Sequence, residues 1–251
     1  MMKLFGKNPV LERLRTNPQS IRRIFIQQGF PEASYIHKKA RKHGIQVIVV
    51  PVARMDKINR TRNTQGVLVD VDDFAYVPYD ELLEATRASG GSIVFLDGLT
   101  DPQNLGAIIR SLACLGKFAV VLPTHDSVGV TEAVLRVASG GDNYVAVAKV
   151  ANLGNAIKSA KESGFWIAGA VVADGSASGN EVQSVLETSF SHPMGLVVGS
   201  EHKGIRDVLR KLLDAQLTIP MPSATMSFNV AHATAIFCYE IVRQKKNAVP
   251  K

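Results

Sequence analysis

Residues 92–123 read SIVFLDGLTDPQNLGAIIRSLACLGKFAVVLP. The runs Ile93–Leu96 and Phe118–Leu122 are short, apolar and bounded by turn residues, as expected of strands buried on both faces of a parallel sheet. Between them a loop with Asp101, Pro102 and Asn104 leads into a helical pattern over Leu105–Leu115. A strand, a crossover helix and a second strand make one βαβ unit, and the chain repeats that alternation to its end. Further strand runs lie at Tyr144–Val147, Phe165–Val172, Gly195–Val198 and Leu217–Ile219. Helical segments fall at Glu132–Ala138, Leu153–Ser163 and Val208–Leu213, and a longer one at Val230–Gln244 closes the chain. The expected architecture is α/β, with helices on both faces of a largely parallel sheet.

Ahead of residue 92 the elements alternate on a smaller scale. Helical patterns at Asn8–Arg15 and Pro31–His43 are interleaved with extended runs at Ile21–Ile26, Ile45–Val50 and Gly66–Val71. They predict a small N-terminal α/β sandwich. An acidic turn, Pro78, a short helix around Glu81–Ala88 and the Gly90-Gly91 pair then place the linker. The expected division is residues 1–75, a linker at 76–91, and a larger domain at 92–251.

The 251 residues carry 29 Lys+Arg against 22 Asp+Glu, a formal charge of +7, but that charge is unevenly placed. Residues 1–66 hold 14 basic and 3 acidic side chains, +11, whereas residues 67–251 hold 15 and 19, −4. Ion pairing within a fold does not require such a partition. Contact with a polyanion does, because each neutralised phosphate releases condensed counterions. Nucleic acid is therefore the leading partner, since the basic residues are scattered over several elements and form no amphipathic membrane-surface helix.

Other classes are excluded on pattern. Cys114 and Cys238 sit far apart in apolar surroundings, so a disulfide scaffold and a zinc ribbon both fail, and a reducing, cytoplasmic compartment fits. The uncharged stretch Leu217–Tyr239 is long enough for a bilayer but contains Pro220, Pro222, Ser227, Asn229 and His232, which reads as buried protein and not membrane. GxxxxGK[ST], GxGxxG after a strand, and GxSxG are all missing, and no two histidines flank a glutamate at metal-binding spacing. No metal is expected.

Three polar stretches remain, each at the C-terminal end of an expected strand, where open parallel sheets place their ligands. In Asp97–Gly116, Asn104 suits a helix N-cap, while Arg110 interrupts the apolar face of Ile108, Ile109, Leu112 and Leu115 and there needs an anionic partner. In Gly195–Ile205 (GLVVGSEHKGI), Gly199 and Gly204 permit close backbone approach, and Glu201 is placed to pair with Arg110 or orient a ligand. In Ile219–Glu240, two prolines and small polar residues form a long loop in which Ser227 and Asn229 suit capping of the final helix.

These stretches, DPQNLGAIIR, GSEHKG and IPMPSATMSFNV, stand in the order and spacing of the three motifs of the SpoU branch (TrmH type) of SPOUT RNA methyltransferases, and the chain resembles that family. The segment beginning GKNPVLERL is similar to the ribosomal-protein-like RNA-binding domain that precedes the catalytic domain in its ribosomal RNA members, and a match from Gly6 leaves no room for a transit peptide. The resemblance implies a SPOUT α/β domain with a deep trefoil knot, S-adenosylmethionine as methyl donor, a homodimer with active sites at its interface, and methylation of a ribose 2′-hydroxyl in RNA. Gly199, Ile219 and Phe228 fall where the family's backbone grips the cofactor. Asn104, Arg110, Glu201, Ser227 and Asn229 fall on its polar site positions. A guanidinium holds its proton too tightly to serve as a base, so Arg110 is expected to orient a phosphate and stabilise the developing alkoxide.

Three positions depart from the family pattern: His202 stands for Gly, Phe228 for Leu, and Thr64 for the His of an HQG ending. Large-subunit ribosomal RNA is the expected substrate, because many transfer RNA members lack the N-terminal domain. The alternatives are a transfer RNA 2′-O-methyltransferase and a non-catalytic RNA-binding or ribosome-assembly protein. Keeping Arg110, Glu201 and Asn229 together favours catalysis.

Overall fold

The computed structural model describes residues 1–58, 64–172, 182–201, 203–222 and 227–247. Its first elements are β1 (Met2–Phe5), α1 (Lys7–Thr16), β2 (Ile21–Gln27), α2 (Ala33–Lys42), β3 (Gln46–Val50), α3 (Val52–Ile58) and β4 (Val67–Val71). The strands form a mixed sheet in the order β1-β4-β2-β3, with β2 and β3 parallel and the other pairs antiparallel. Val10, Leu14, Ile36 and Ala40 of α1 and α2 pack on one face of this sheet, and Met55 of α3 packs with Phe5, Phe25 and Leu68 on the other.

The rest of the chain runs α4 (Tyr79–Ala88), β5 (Ser92–Asp97), α5 (Pro102–Leu115), β6 (Phe118–Pro123), α6 (Glu132–Ala138), β7 (Ala146–Val150), α7 (Leu153–Glu162), β8 (Trp166–Ala170), β9 (Val182–Ser184), β10 (Met194–Gly199), α8 (Asp207–Arg210), β11 (Ala215–Thr218) and α9 (Val230–Asn247). Among the described residues, seven strands form one sheet in the order β7-β6-β5-β10-β8-β11-β9, and every pairing is parallel. All residues of β5, β6 and β10 are buried, which is why those strands read as unbroken apolar runs. Successive side chains alternate between faces. Val94 and Leu96 meet the cluster that includes Leu105, Ile108 and Phe237 of α5 and α9, while Ile93 and Phe95 meet Leu82 of α4, Ile157 of α7 and Leu209 of α8.

The N-terminal strand and helix expectations are matched to within a few residues, whereas β1, α3 and β9 had no counterpart in the reading of the sequence. Residues 79–88, inside the expected linker, form α4, and its Leu82 and Leu83 are buried on the large sheet. The strand order departs from chain order at β10 and β11, the stretch where the trefoil knot is expected; segments 173–181 and 223–226 of that stretch lie outside the described residues.

The two sheets share one apolar cluster that runs from Leu4, Val10 and Leu14 to Leu105, Val134 and Ala138. Polar contacts reinforce the junction. Arg13 of α1 pairs with Asp142, both side chains buried, and the Lys3 N–H donates to Glu132 Oε1. Arg15, Glu12 and Tyr144 are hydrogen-bonded to one another, and the Arg136 guanidinium lies 5.5 Å from the centre of the Phe5 ring.

Candidate active site

The site assembles at the carboxyl ends of β5, β8, β10 and β11. At the end of β5, the buried Asp97 accepts from the Arg206 backbone N–H at 2.9 Å and from its Nε at 2.7 Å. This ties the loop after β10 to its neighbouring strand. That loop is a tight hairpin closed by reciprocal bonds, Ser200 N–H to Gly204 O at 3.2 Å and Gly204 N–H to Ser200 O at 3.0 Å. A Cβ on Gly199 would lie 2.0 Å from the Gly204 carbonyl carbon, so the hairpin itself demands glycine there.

Asp101 caps α5, its carboxylate accepting from the Gln103 N–H at 2.8 Å, with Pro102 at the first helical position. The reading of Asn104 as the cap is thereby corrected. Asn104 is one turn further in, buried, and free to work sideways: its Nδ2 donates to Glu201 Oε1 at 2.7 Å and its Oδ1 accepts from Asn229 Nδ2 at 2.9 Å. Asn229 does cap α9, its Oδ1 accepting from the Ala231 N–H at 2.9 Å, so one amide serves both the helix and the network. All three motif stretches therefore meet in one chain of hydrogen bonds, Glu201–Asn104–Asn229.

Arg110 does not join them. It stands six residues past Asn104, about 9 Å along the helix and about 240° round it. The buried stripe of α5 is Leu105, Ile108, Ile109 and Leu112, and Arg110 is exposed beside that stripe and does not interrupt it. It faces a surface pocket with Asn8, Glu12 and Tyr144, and it has no ion pair among the described residues. The anionic partner for Arg110 and its pairing with Glu201 within one chain are both corrected. Glu201 is held by Asn104 instead.

A cavity of about 680 Å³ opens beside the network, and Gly199, Glu201, Ile219, Ser227, Phe228 and Asn229 all line it. The sequence reading missed Arg210 and Thr218, which also line it. Both contribute a buried polar atom, Arg210 Nε and Thr218 Oγ1, with no hydrogen-bond partner among the described residues. Buried donors and acceptors left unpaired call for a polar ligand. Ile219 and Phe228 add apolar surface of the kind that takes a nucleobase. A ligand with an adenine ring, ribose hydroxyls and an amino-acid tail fits this lining, so the residues present fit S-adenosylmethionine. Among the described residues no three His, Cys, Asp or Glu gather as metal ligands, and no helix is long and apolar enough to cross a membrane.

Of the departures from the family pattern, Phe228 is half exposed on the cavity wall, and His202 lies outside the described residues. Thr64 is buried in a turn, its Oγ1 accepting from the Gly66 N–H at 3.3 Å, while Gln65 Oε1 accepts from the Lys7 N–H at the start of α1 at 2.9 Å.

Comparison with known proteins agrees with both halves of this arrangement. Residues 91–239 match the SpoU rRNA Methylase family, and residues 3–77 match the domain described as RNA 2′-O ribose methyltransferase substrate binding. The chain is 32% identical to an uncharacterized tRNA/rRNA methyltransferase of Mycolicibacterium smegmatis, over 97% of this chain and 77% of that protein. It is 34% identical to the uncharacterized tRNA/rRNA methyltransferase slr0955 of Synechocystis, over 96% of this chain, and spans 62% of that relative's length. The fold is similar to the AdoMet-bound rRNA methyltransferase of Sinorhizobium meliloti, with a TM-score of 0.78 and 21% identity, covering 99% of this chain and 88% of the other. With its three motifs joined beside one cavity and its sequence matched from the first sheet to α9, the chain belongs to the SpoU rRNA methylase family, whose methyltransferases use S-adenosylmethionine as methyl donor.

Proposed function

We infer that the protein methylates a ribose 2′-hydroxyl of ribosomal RNA, in the large subunit, in the cytoplasm. The observation that carries this reading is the convergence of Glu201, Asn104 and Asn229 on the rim of a cavity fitted to the methyl donor. The match of residues 3–77 to a 2′-O ribose methyltransferase substrate-binding domain supports ribose as the acceptor. That same unit supports ribosomal over transfer RNA. Residues 1–75 act as the RNA-docking domain and residues 92–251 as the methyltransferase domain. Lys38, Arg41 and Lys42 stand exposed on α2 without ion-pair partners among the described residues, beside an exposed Tyr35. A basic face with an aromatic is suited to backbone phosphates and an unstacked base.

S-adenosylmethionine supplies an electrophilic methyl group on a sulfonium. Gly199, Ile219 and Phe228, with Arg210 and Thr218, are the residues that hold it. Glu201, fixed by Asn104, and Ser227 and Asn229 orient the substrate ribose by hydrogen bonds, because methyl transfer needs the 2′-oxygen aligned in a dry pocket. The Arg110 guanidinium neutralises the alkoxide and its adjacent phosphate.

For Arg110 to reach such a ribose, it must come from a second copy. The outer faces of α5 and α9 support a homodimer: His232, Ile236, Tyr239 and Arg243 form an exposed stripe at helical spacing on α9, and Arg110 and Cys114 are exposed on α5. A two-fold contact through this face brings the same patch from each subunit together.

The test is transfer of labelled methyl from S-adenosylmethionine to transcribed, unmethylated ribosomal RNA, with sizing of the active species. Wild type is expected to label a ribose as a dimer, and Arg110→Ala to lose about 100-fold in rate, the scale of one transition-state charge contact. Mixing Arg110→Ala with Gly199→Ala subunits should restore part of the activity. Absence of label in any ribosomal or transfer RNA overturns the reading, and label on a base overturns the ribose assignment.

A further inference from the structure

A second cavity, of about 850 Å³, lies on the other side of the Ser200–Gly204 hairpin from the cofactor cavity. Asp97 and Gly98 at the end of β5 and Ser200 after β10 form its inner wall. Strand order reverses between β5 and β10, since β6 and β7 extend the sheet to one side and β8 to the other. Open α/β sheets place ligands in the crevice at such a reversal. Here the cofactor residues occupy the neighbouring crevice instead, so the reversal itself has no assigned occupant.

Its chemistry is that of a nucleotide site. Lys158 and Lys203 line it as exposed cations with no ion-pair partner among the described residues. The charge of Arg206 is neutralised by Asp97 at 2.7 Å. Two carboxylates share the rim, Asp126 and the Asn104-bound Glu201. The exposed Val208 and the partly buried Leu212 supply an apolar surface, and the Asn155 side-chain amide makes no hydrogen bond to any described residue. Cations for a phosphate, an apolar wall for a ring and a free amide for a base edge lie within one cavity.

We propose that this second cavity holds the nucleotide that flanks the methylated one in the RNA strand, with its phosphate at Lys158 and Lys203 and its base against Val208 and Leu212. The proposal rests on the RNA methyltransferase reading above. It follows from contiguity: Ser200, Glu201, Lys203 and Gly204 line both cavities, so a strand presenting one ribose to the first lays its neighbour over the second.

Lys158→Ala, Lys158→Arg and Asn155→Ala, each in the full chain, test it against transcribed large-subunit ribosomal RNA. Lys158→Ala should raise the KM for RNA about tenfold, the worth of one charged hydrogen bond, with kcat at saturating RNA and the affinity for S-adenosylmethionine unchanged. The slope of log affinity against log salt should fall by about 0.7, one phosphate contact on a single strand. Lys158→Arg should keep the wild-type slope, and Asn155→Ala should raise KM without changing it. Wild-type RNA affinity and slope in Lys158→Ala overturn the proposal. So does a parallel loss of S-adenosylmethionine affinity, which would assign the cavity to the cofactor. Because the salt slope is read by binding alone, it decides the proposal separately from methyl transfer, whose absence in wild type overturns only the underlying reading.

Discussion

Gly199 shows how a single position can be right for a different reason than its motif suggests. The glycine was expected to let a ligand approach the backbone, but the neighbour that excludes a side chain is Gly204, at 2.0 Å. Gly199→Ala must open the hairpin, at a cost of about 1–3 kcal/mol for overpacking. Calorimetry should show S-adenosylmethionine affinity at least tenfold weaker; unchanged affinity would mean the hairpin does not shape the cavity. Asn104, Glu201 and Asn229, which one hydrogen-bond chain joins, were legible because polar residues are unusual amid apolar runs. Arg210 and Thr218 were not, since VLRKLL reads as an ordinary amphipathic turn. Arg110 was misread in phase, because two apolar neighbours on each side do not fix which face of a helix a residue takes. A half-buried residue carries a pH signature. His192 has both ring nitrogens buried and without hydrogen-bond partners among the described residues, and burial first, then Lys245, hold its imidazole below the ordinary 6.5. The folded state thus binds fewer protons than the unfolded near that value. Its stabilising contribution is complete above 6.5 and declines as pH falls through it. Thermal melts between about pH 5 and 8 should show a steeper acid-side loss for wild type than for His192→Gln, and parallel curves would refute the assignment.

Among elements, fully buried strands were the most legible and the short edge pieces the least. β5, β6 and β10 are apolar at every residue because helices cover both faces, whereas β9 is only Val182–Ser184 and β1 has four residues, too few for a period to declare itself. α4 was found as a helix yet placed in a linker, because the composition of YDELLEATRA shows its polar face and not the sheet that its leucines reach. α2 is the element on which RNA docking is best tested. Its buried residues are Ile36 and Ala40, leaving the charged positions to solvent. Lys38→Ala, Arg41→Ala and Lys42→Ala combined should reduce the salt slope of RNA binding by about 2, at about 0.7 per contact. Filter binding at several salt concentrations reads it, and an unchanged slope would move the docking face elsewhere.

At the scale of the molecule, the charge partition of the sequence looks different once contacts are counted. Arg13, Arg22 and Arg23 pair with Asp142, Asp72 and Asp70, so part of the N-terminal excess holds the first unit together and to the second. The Arg13–Asp142 pair is buried, and burial raises the Asp142 carboxyl against the opposing pull of Arg13. Removing one partner strands the other, so Arg13→Ala should lose about 3–5 kcal/mol in denaturant unfolding. Arg13→Met with Asp142→Leu should regain most of it, and equal losses in the single and double variants would show that no coupling exists. The continuous core across the junction has a consequence for selection among RNAs. On the function proposed above, a docking helix fixed at one distance and angle from the reactive cavity would make the protein a ruler, accepting only those RNA folds whose anchoring phosphates and target ribose stand the same length apart, whatever their bases.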